Sequence, residues 1–128
     1  MSQNKKFPTS LKVLENRAIM FLYVNQKKPS GKAFARYDKY KTANSITEAV
    51  DRGWTPLDMQ YETKSNNRFK KFVTMCFIEG VNITKETKDI LEFVIKKNRE
   101  VLKDLPKAIQ EKAKANIDKF DKLAQAIK

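Results

Sequence analysis

Apolar residues recur at helical spacing along most of this chain. In residues 9 to about 25 they fall at intervals of three and four, which predicts an amphipathic helix. The apolar residues on its shared face are Leu11, Leu14, Ala18, Phe21 and Leu22. The uninterrupted stretch 18–24 also fits a buried strand, because a short apolar run has no period of its own. The polar turn at 26–31 ends the segment, since Pro29 and Gly31 both oppose helix continuation.

Three further helices are predicted before residue 63. The first spans about 31–43 and turns Ala33, Tyr37 and Tyr40 inward. The sequence Ser-Ile-Thr-Glu at 45–48 has the form of a capping box, and Gly53 ends the helix that it starts. At 55–58 a threonine N-cap, a proline at the first helical position and an aspartate near the positive helix end start another.

The second half of the chain predicts three more amphipathic helices. A helix at 68–80 is indicated by Phe69, Phe72, Val73, Cys76 and Phe77, with Gly80 closing it. A long helix at 84–103, which Thr84 can cap, has the apolar stripe Ile90, Leu91, Val94, Val101 and Leu102. The last helix, at about 106–127, has the stripe Ile109, Ala113, Ile117, Phe120, Ala124 and Ile127.

These elements predict an all-α fold, a compact single domain of about six or seven helices with a helix-turn-helix-like hairpin near residues 45–64. Residues 1–8 are predicted to be a flexible basic N-terminus, and 9–128 a single helical domain. The longest apolar run has seven residues, whereas a bilayer span needs about twenty. No signal peptide is visible, and a lone cysteine fits a reducing compartment. We therefore expect an intracellular protein without a membrane partner.

The charge balance points to an anionic partner. Twenty-seven Lys and Arg face fifteen Asp and Glu, which gives a formal net charge of +12. A surface with this excess concentrates polyanions such as nucleic acid.

The same composition excludes common catalytic chemistry. The chain has no histidine, so no imidazole can activate a serine or the lone Cys76. One cysteine supplies neither a zinc site nor an iron-sulfur cluster. The acids Glu48, Asp51, Asp58 and Glu62 stand near magnesium-ligand spacing, but we interpret them as helix-end and surface charges. No catalytic residue, metal or other cofactor is expected.

A basic stripe marks the predicted second helix. Lys28, Lys32, Arg36 and Lys39 fall on one side of it, a spacing that suits contacts with a phosphate backbone. A second basic patch lies at 70–71. The competing interpretation is a solvated face that keeps the protein soluble. The predicted nucleic-acid-binding residues are Lys27, Lys28, Lys32, Arg36, Lys39, Lys41, Lys70 and Lys71.

The hairpin at 45–62 has some features of a DNA-reading helix-turn-helix. Ala49 and Gly53 stand four apart, where a small residue lets the helices approach and a glycine makes the turn. The second helix, however, contains Asp58 and Glu62, which would repel phosphate. A structural hairpin is therefore favoured over a major-groove reader.

Five aromatic residues are candidates for stacking on the bases of a single strand. Aromatic residues at helical spacing also build cores, so both interpretations stay open. We expect Tyr40 and Tyr61 to be the exposed members of the set Tyr37, Tyr40, Trp54, Tyr61 and Phe69.

Residues 35–62 contain the pattern R-Y-x-x-Y-K-x-A at 36–43, then Ser-Ile-Thr-Glu-Ala at 45–49, Gly53 and Asp58. This segment resembles small proteins of large double-stranded DNA viruses of algae and other protists, which have no assigned activity. The resemblance implies a viral protein made in the host cytoplasm, or carried in the virion.

The sequence thus favours a non-enzymatic, nucleic-acid-binding or genome-associated protein with weak sequence preference, and DNA over RNA. The alternative is a structural or interaction protein, such as a minor virion component or an adaptor that docks on an acidic protein surface.

Overall fold

The computed structural model describes residues 9–25, 29–63 and 76–127. In chain order these residues form a 3₁₀ segment, a strand, three helices, a second strand and two longer helices. Their bounds are Thr9–Leu14 for the 3₁₀ segment, Ile19–Phe21 for β1, Lys32–Tyr40 for α1, Ile46–Asp51 for α2, Pro56–Glu62 for α3, Cys76–Ile78 for β2, Lys88–Val101 for α4 and Lys107–Gln125 for α5. A single 3₁₀ turn, Leu102–Asp104, joins α4 to α5.

The five helices lie within the ranges predicted from the sequence, but Thr84 does not cap α4, which begins at Lys88 after Thr87. Helices α1, α4 and α5 fall within the predicted ranges 31–43, 84–103 and 106–127. The Ser45 hydroxyl accepts the Glu48 N–H at 3.1 Å and caps α2. Thr55 and Asp58 form a complete reciprocal capping box at the start of α3. Such caps are dependable signals because they satisfy N–H groups that the helix itself cannot pair.

Two of the predicted helices, at 9–25 and 68–80, are wrong over the residues that the structure describes. Residues 19–21 and 76–78 are antiparallel strands that pair Ile19 with Ile78 and Phe21 with Cys76. The alternative of a buried strand within 18–24 is confirmed. The helix predicted at 68–80 fails over its described end, while 68–75 lie outside the described residues. All six strand residues are buried, and a run buried on both faces shows no period that would reveal it.

Two asparagines close the free edge of β1. Asn98 of α4 donates to the Phe21 carbonyl and accepts the Tyr23 N–H, both at 2.8 Å. Asn116 of α5 donates to the Ile19 carbonyl at 2.8 Å. Helices α4 and α5 therefore satisfy backbone groups that a third strand would otherwise pair.

A third asparagine closes the free edge of β2. Asn82 accepts the Ile78 N–H at 2.8 Å and donates to the Cys76 carbonyl at 2.9 Å. The described ribbon thus offers neither edge for pairing with another chain.

A cluster of aromatic rings packs against β1. The Phe21 ring lies 5.9 Å, 5.1 Å and 5.7 Å from the rings of Tyr37, Tyr40 and Trp54, centroid to centroid. All four residues are buried, so the inward orientation predicted for Tyr37 and Tyr40 is confirmed. These contacts hold α1 and the α2–α3 turn against β1.

The described residues form a mainly helical small domain with five helices, three of them nine residues or longer, and a two-stranded antiparallel sheet. This corrects the all-α prediction with six or seven helices. Among the described helices, none has the length and apolar content that a membrane crossing requires.

Candidate nucleic-acid interface

Two lysines of the predicted basic stripe are exposed on α1. Lys32 and Lys39 both face solvent, and their seven-residue separation places them about 10.5 Å apart along the helix axis. Lys27 and Lys28, which were predicted to extend this stripe, lie outside the described residues, as do Lys70 and Lys71.

Arg36, the third member of the stripe on α1, is tied to α3. Its Nη2 and Nε donate to the two Asp58 carboxylate oxygens at 2.8 and 3.3 Å. These hydrogen bonds and the charge of Asp58 raise the pKa of Arg36. The side chain of Arg36 keeps 40% of its exposure, so it joins α1 to α3 while part of it still faces solvent.

Lys41 is half-buried at the end of α1 and pairs with Asp38. Its Nζ lies 3.2 Å from the Asp38 carboxylate. The amide of Asn25 also donates to that carboxylate, at 3.0 Å, and these partners lower the pKa of Asp38, Asn25 contributing most. Part of the Lys41 charge is therefore balanced within the protein.

The exposure expected of Tyr40 is wrong. Tyr40 is buried, and its hydroxyl donates to Glu62 at 2.5 Å. The indole N–H of Trp54 donates to the second Glu62 oxygen at 3.0 Å. Burial and the charge of Glu62 raise the pKa of Tyr40, so the phenol remains a neutral donor. The side chain of Tyr61, the other stacking candidate, lies outside the described residues.

The interpretation of Asp58 and Glu62 as surface charges is also wrong. They are 3% and 1% exposed. Hydrogen bonds from the Arg36 guanidinium, the Tyr40 phenol and the Trp54 indole replace those that their carboxylates lose to water on burial. Sequence reasoning missed these pairs since Arg36 and Asp58, like Tyr40 and Glu62, stand 22 residues apart. The capping box was the one local signal, and it located the Asp58 carboxylate beside Thr55 without revealing its burial.

Positive charge is divided unevenly along the chain. All fifteen acidic residues lie in the described ranges together with eighteen of the 27 basic ones, so the described part has a net charge of only +3. The other nine basic residues lie in segments 1–8, 26–28, 64–75 and 128, which contain no Asp or Glu. They are Lys5, Lys6, Lys27, Lys28, Lys64, Arg68, Lys70, Lys71 and Lys128.

Segment 26–28 joins the described structure beside α1. Asn25 precedes it, and the Asn25 amide donates to the Phe34 carbonyl at 2.9 Å as well as to Asp38. Both acceptors belong to α1, so the residue two positions before Lys27 is bonded to the helix that presents Lys32 and Lys39.

Segment 64–75 joins the structure at residues that also contact α1 or its partner β1. Glu62, at the end of α3, binds Tyr40 of α1. Cys76 pairs with Phe21, whose ring packs on α1. Described residues next to two acid-free basic stretches of the sequence therefore contact α1 or β1.

Cys76 is poorly suited to nucleophilic chemistry. The thiol is completely buried, and burial, followed by the charge of Glu62, raises its pKa well above the ordinary value. Within the described ranges, no three His, Cys, Asp or Glu residues are grouped so that they could hold a metal ion.

Comparison with known proteins adds no further assignment. No family model, no curated protein and no solved structure matches the chain.

Proposed function

We propose that this protein binds nucleic acid electrostatically, without catalysis and with little preference for sequence. The observation that carries the proposal is the excess of positive charge: the described residues, here called the framework, have a net charge of +3, and the rest of the sequence adds nine basic and no acidic residues. A polyanion is attracted most strongly where basic residues outnumber acidic ones.

The phosphate contacts are assigned to the surroundings of α1. Lys32 and Lys39 present their charges to solvent, and we add Lys27, Lys28, Lys70 and Lys71, which lie outside the described residues in acid-free stretches of the sequence. Arg36 and Lys41 contribute less, because Asp58 and Asp38 already balance them.

Weak sequence preference follows from the composition of α3. The second helix of the hairpin would be the reading helix, yet Pro56–Glu62 contains no basic residue. Base recognition in the major groove depends heavily on Arg, Lys, Asn and Gln side chains, and α3 offers only the exposed Gln60. The hairpin therefore serves as scaffold for α1.

DNA is favoured over RNA through the resemblance of residues 35–62 to proteins of double-stranded DNA viruses. On that resemblance the bound nucleic acid is a viral genome, inside the host cell or within the virion.

The test compares two charge reversals of equal size. One variant changes Lys27, Lys28, Lys70 and Lys71 to Glu, and the control changes Lys85, Lys96, Lys103 and Lys107, which are exposed on the framework. Fluorescence anisotropy with a short DNA duplex should show the first variant losing at least about tenfold more affinity than the control. Circular dichroism checks that both remain folded.

Equal losses in the two variants would contradict the proposal, because binding would then follow net charge alone. If the wild-type protein binds no duplex, and a complex recovered after nuclease treatment contains an acidic protein, the adaptor function replaces it.

A further inference from the structure

We infer that the outer face of α5 is a second phosphate-binding surface, formed by Lys112, Lys119 and Lys122 and joined by Arg17. The inference rests on the proposed function and deepens it, because it assigns phosphate contacts to the described framework itself.

The three lysines share one exposed side of α5. Lys112 and Lys119 are two helical turns apart, about 10.5 Å along the axis, and Lys122 lies about one turn further on. A duplex carries one negative charge for about every 1.7 Å of its axis, so a surface of this length faces several phosphates. Ala115 lies between the first two lysines and leaves no bulky side chain to hold a backbone away.

The acidic residues in the second half of α5 are turned toward α4. Arg99 of α4 donates from Nη1 to Asp118 and from Nη2 to Asp121, each at 3.0 Å. One cation thus engages both carboxylates on the side facing α4. The side chains of Asp118 and Asp121 keep 48% and 37% of their exposure, and Glu111 is exposed beside Lys112 at the start of the surface.

A second element brings another cation to this surface. Lys119 lies 3.5 Å from the Glu79 carboxylate, and Arg17 donates to the Glu79 carbonyl at 3.0 Å. Glu79 and Arg17 line one open groove, together with Lys12 and Glu15. Two cations from distant parts of the chain therefore converge on a single residue at the end of β2.

Gly80 makes room for Arg17. Its φ is +81°, and a Cβ there would lie 1.8 Å from the Arg17 guanidinium. A larger residue at position 80 would displace Arg17 from Glu79. The glycine in the turn after β2 therefore fixes the position of the Arg17 guanidinium.

The test uses changes expected to act in opposite directions. The triple variant Lys112→Glu, Lys119→Glu and Lys122→Glu should bind a DNA duplex at least about tenfold more weakly than the equally charged control Lys85→Glu, Lys96→Glu and Lys103→Glu. Glu79→Gln removes the carboxylate that competes with phosphate for Lys119, and should raise affinity about twofold or more. A gain of affinity cannot result from loss of folding.

Three outcomes are distinguishable. Weaker binding by the α5 variant together with stronger binding by Glu79→Gln supports the inference. If the wild-type protein binds DNA but the α5 variant matches its control, or Glu79→Gln gains nothing, the inference is overturned and the proposed function stands. If the wild-type protein shows no salt-dependent binding, both fail.

Discussion

Tyr23 has a buried hydroxyl that accepts and donates no hydrogen bond in the structure. The residue is 3% exposed, and Asn98 holds its backbone N–H. Burial raises the pKa of this phenol, which keeps it neutral. A neutral hydroxyl without a partner still costs free energy in the folded state, because it has lost its bonds to water.

Removing this hydroxyl should stabilise the protein. We expect Tyr23→Phe to raise the free energy of unfolding by about 1 kcal/mol, since an unpaired polar group disappears. Tyr37→Phe is the matched control: the Tyr37 hydroxyl donates to the Leu22 carbonyl at 2.5 Å, so its removal should lower the free energy of unfolding by about 1 kcal/mol. Urea unfolding measures both, and a destabilised Tyr23→Phe would contradict the account.

Arg36 shows why individual roles were hard to read from the sequence. Its spacing from Lys32 and Lys39 predicted the correct side of α1, and the structure adds a partner 22 residues away. Spacing along a helix indicates which side of the helix a side chain lies on, whereas an ion pair between two helices depends on how the helices pack.

The contact between α1 and α3 depends on the Arg36–Asp58 pair. Arg36→Ala should lower the free energy of unfolding by about 1–3 kcal/mol, because the buried Asp58 carboxylate loses charge-assisted hydrogen bonds. Lys39→Ala, on the exposed side of the same helix, should change it by less than about 0.5 kcal/mol. Thermal and urea unfolding of the two variants provide the comparison, and equal effects would show that the ion pair does not stabilise the packing.

Asn98 stabilises the free edge of β1, as Arg36 stabilises the contact between α1 and α3. Asn98→Ala leaves the Phe21 carbonyl and the Tyr23 N–H buried without partners, at a cost of about 2–4 kcal/mol. The exposed Asn16 is the control, and Asn16→Ala should cost less than about 0.5 kcal/mol. Tolerance of Asn98→Ala in urea unfolding would mean that another group closes the edge.

The five helices were predictable from the sequence, whereas β1 appeared only as an alternative to a helix and β2 was not predicted. The segments at 45–48 and 55–58 contain capping residues that act within one turn, so α2 and α3 begin where expected. Strands β1 and β2 have three residues each and pair across 55 or more positions. Their apolar runs fit either structure locally. The asparagines that close their edges, two in helices and Asn82 in the turn after β2, look like ordinary polar residues in the sequence.

Positive charge is distributed unevenly along the chain. The described residues hold eighteen basic and fifteen acidic residues, several of them in ion pairs, and the other nine basic residues have no acidic neighbours within their stretches of sequence. The overall excess was evident from composition, and the basic stripe from spacing. The pairing of Arg36 with the buried Asp58 was not, because the two residues stand 22 positions apart.

The salt dependence of DNA binding tests the central claim most directly. With about four to six phosphate contacts, the logarithm of the association constant of the wild-type protein should fall with the logarithm of salt concentration at a slope near −4 to −5. Anisotropy titrations with two unrelated duplex sequences should give the same slope and similar affinities. Tight binding retained at about 0.5 M salt, or a strong preference for one duplex, would contradict an electrostatic, weakly specific interaction.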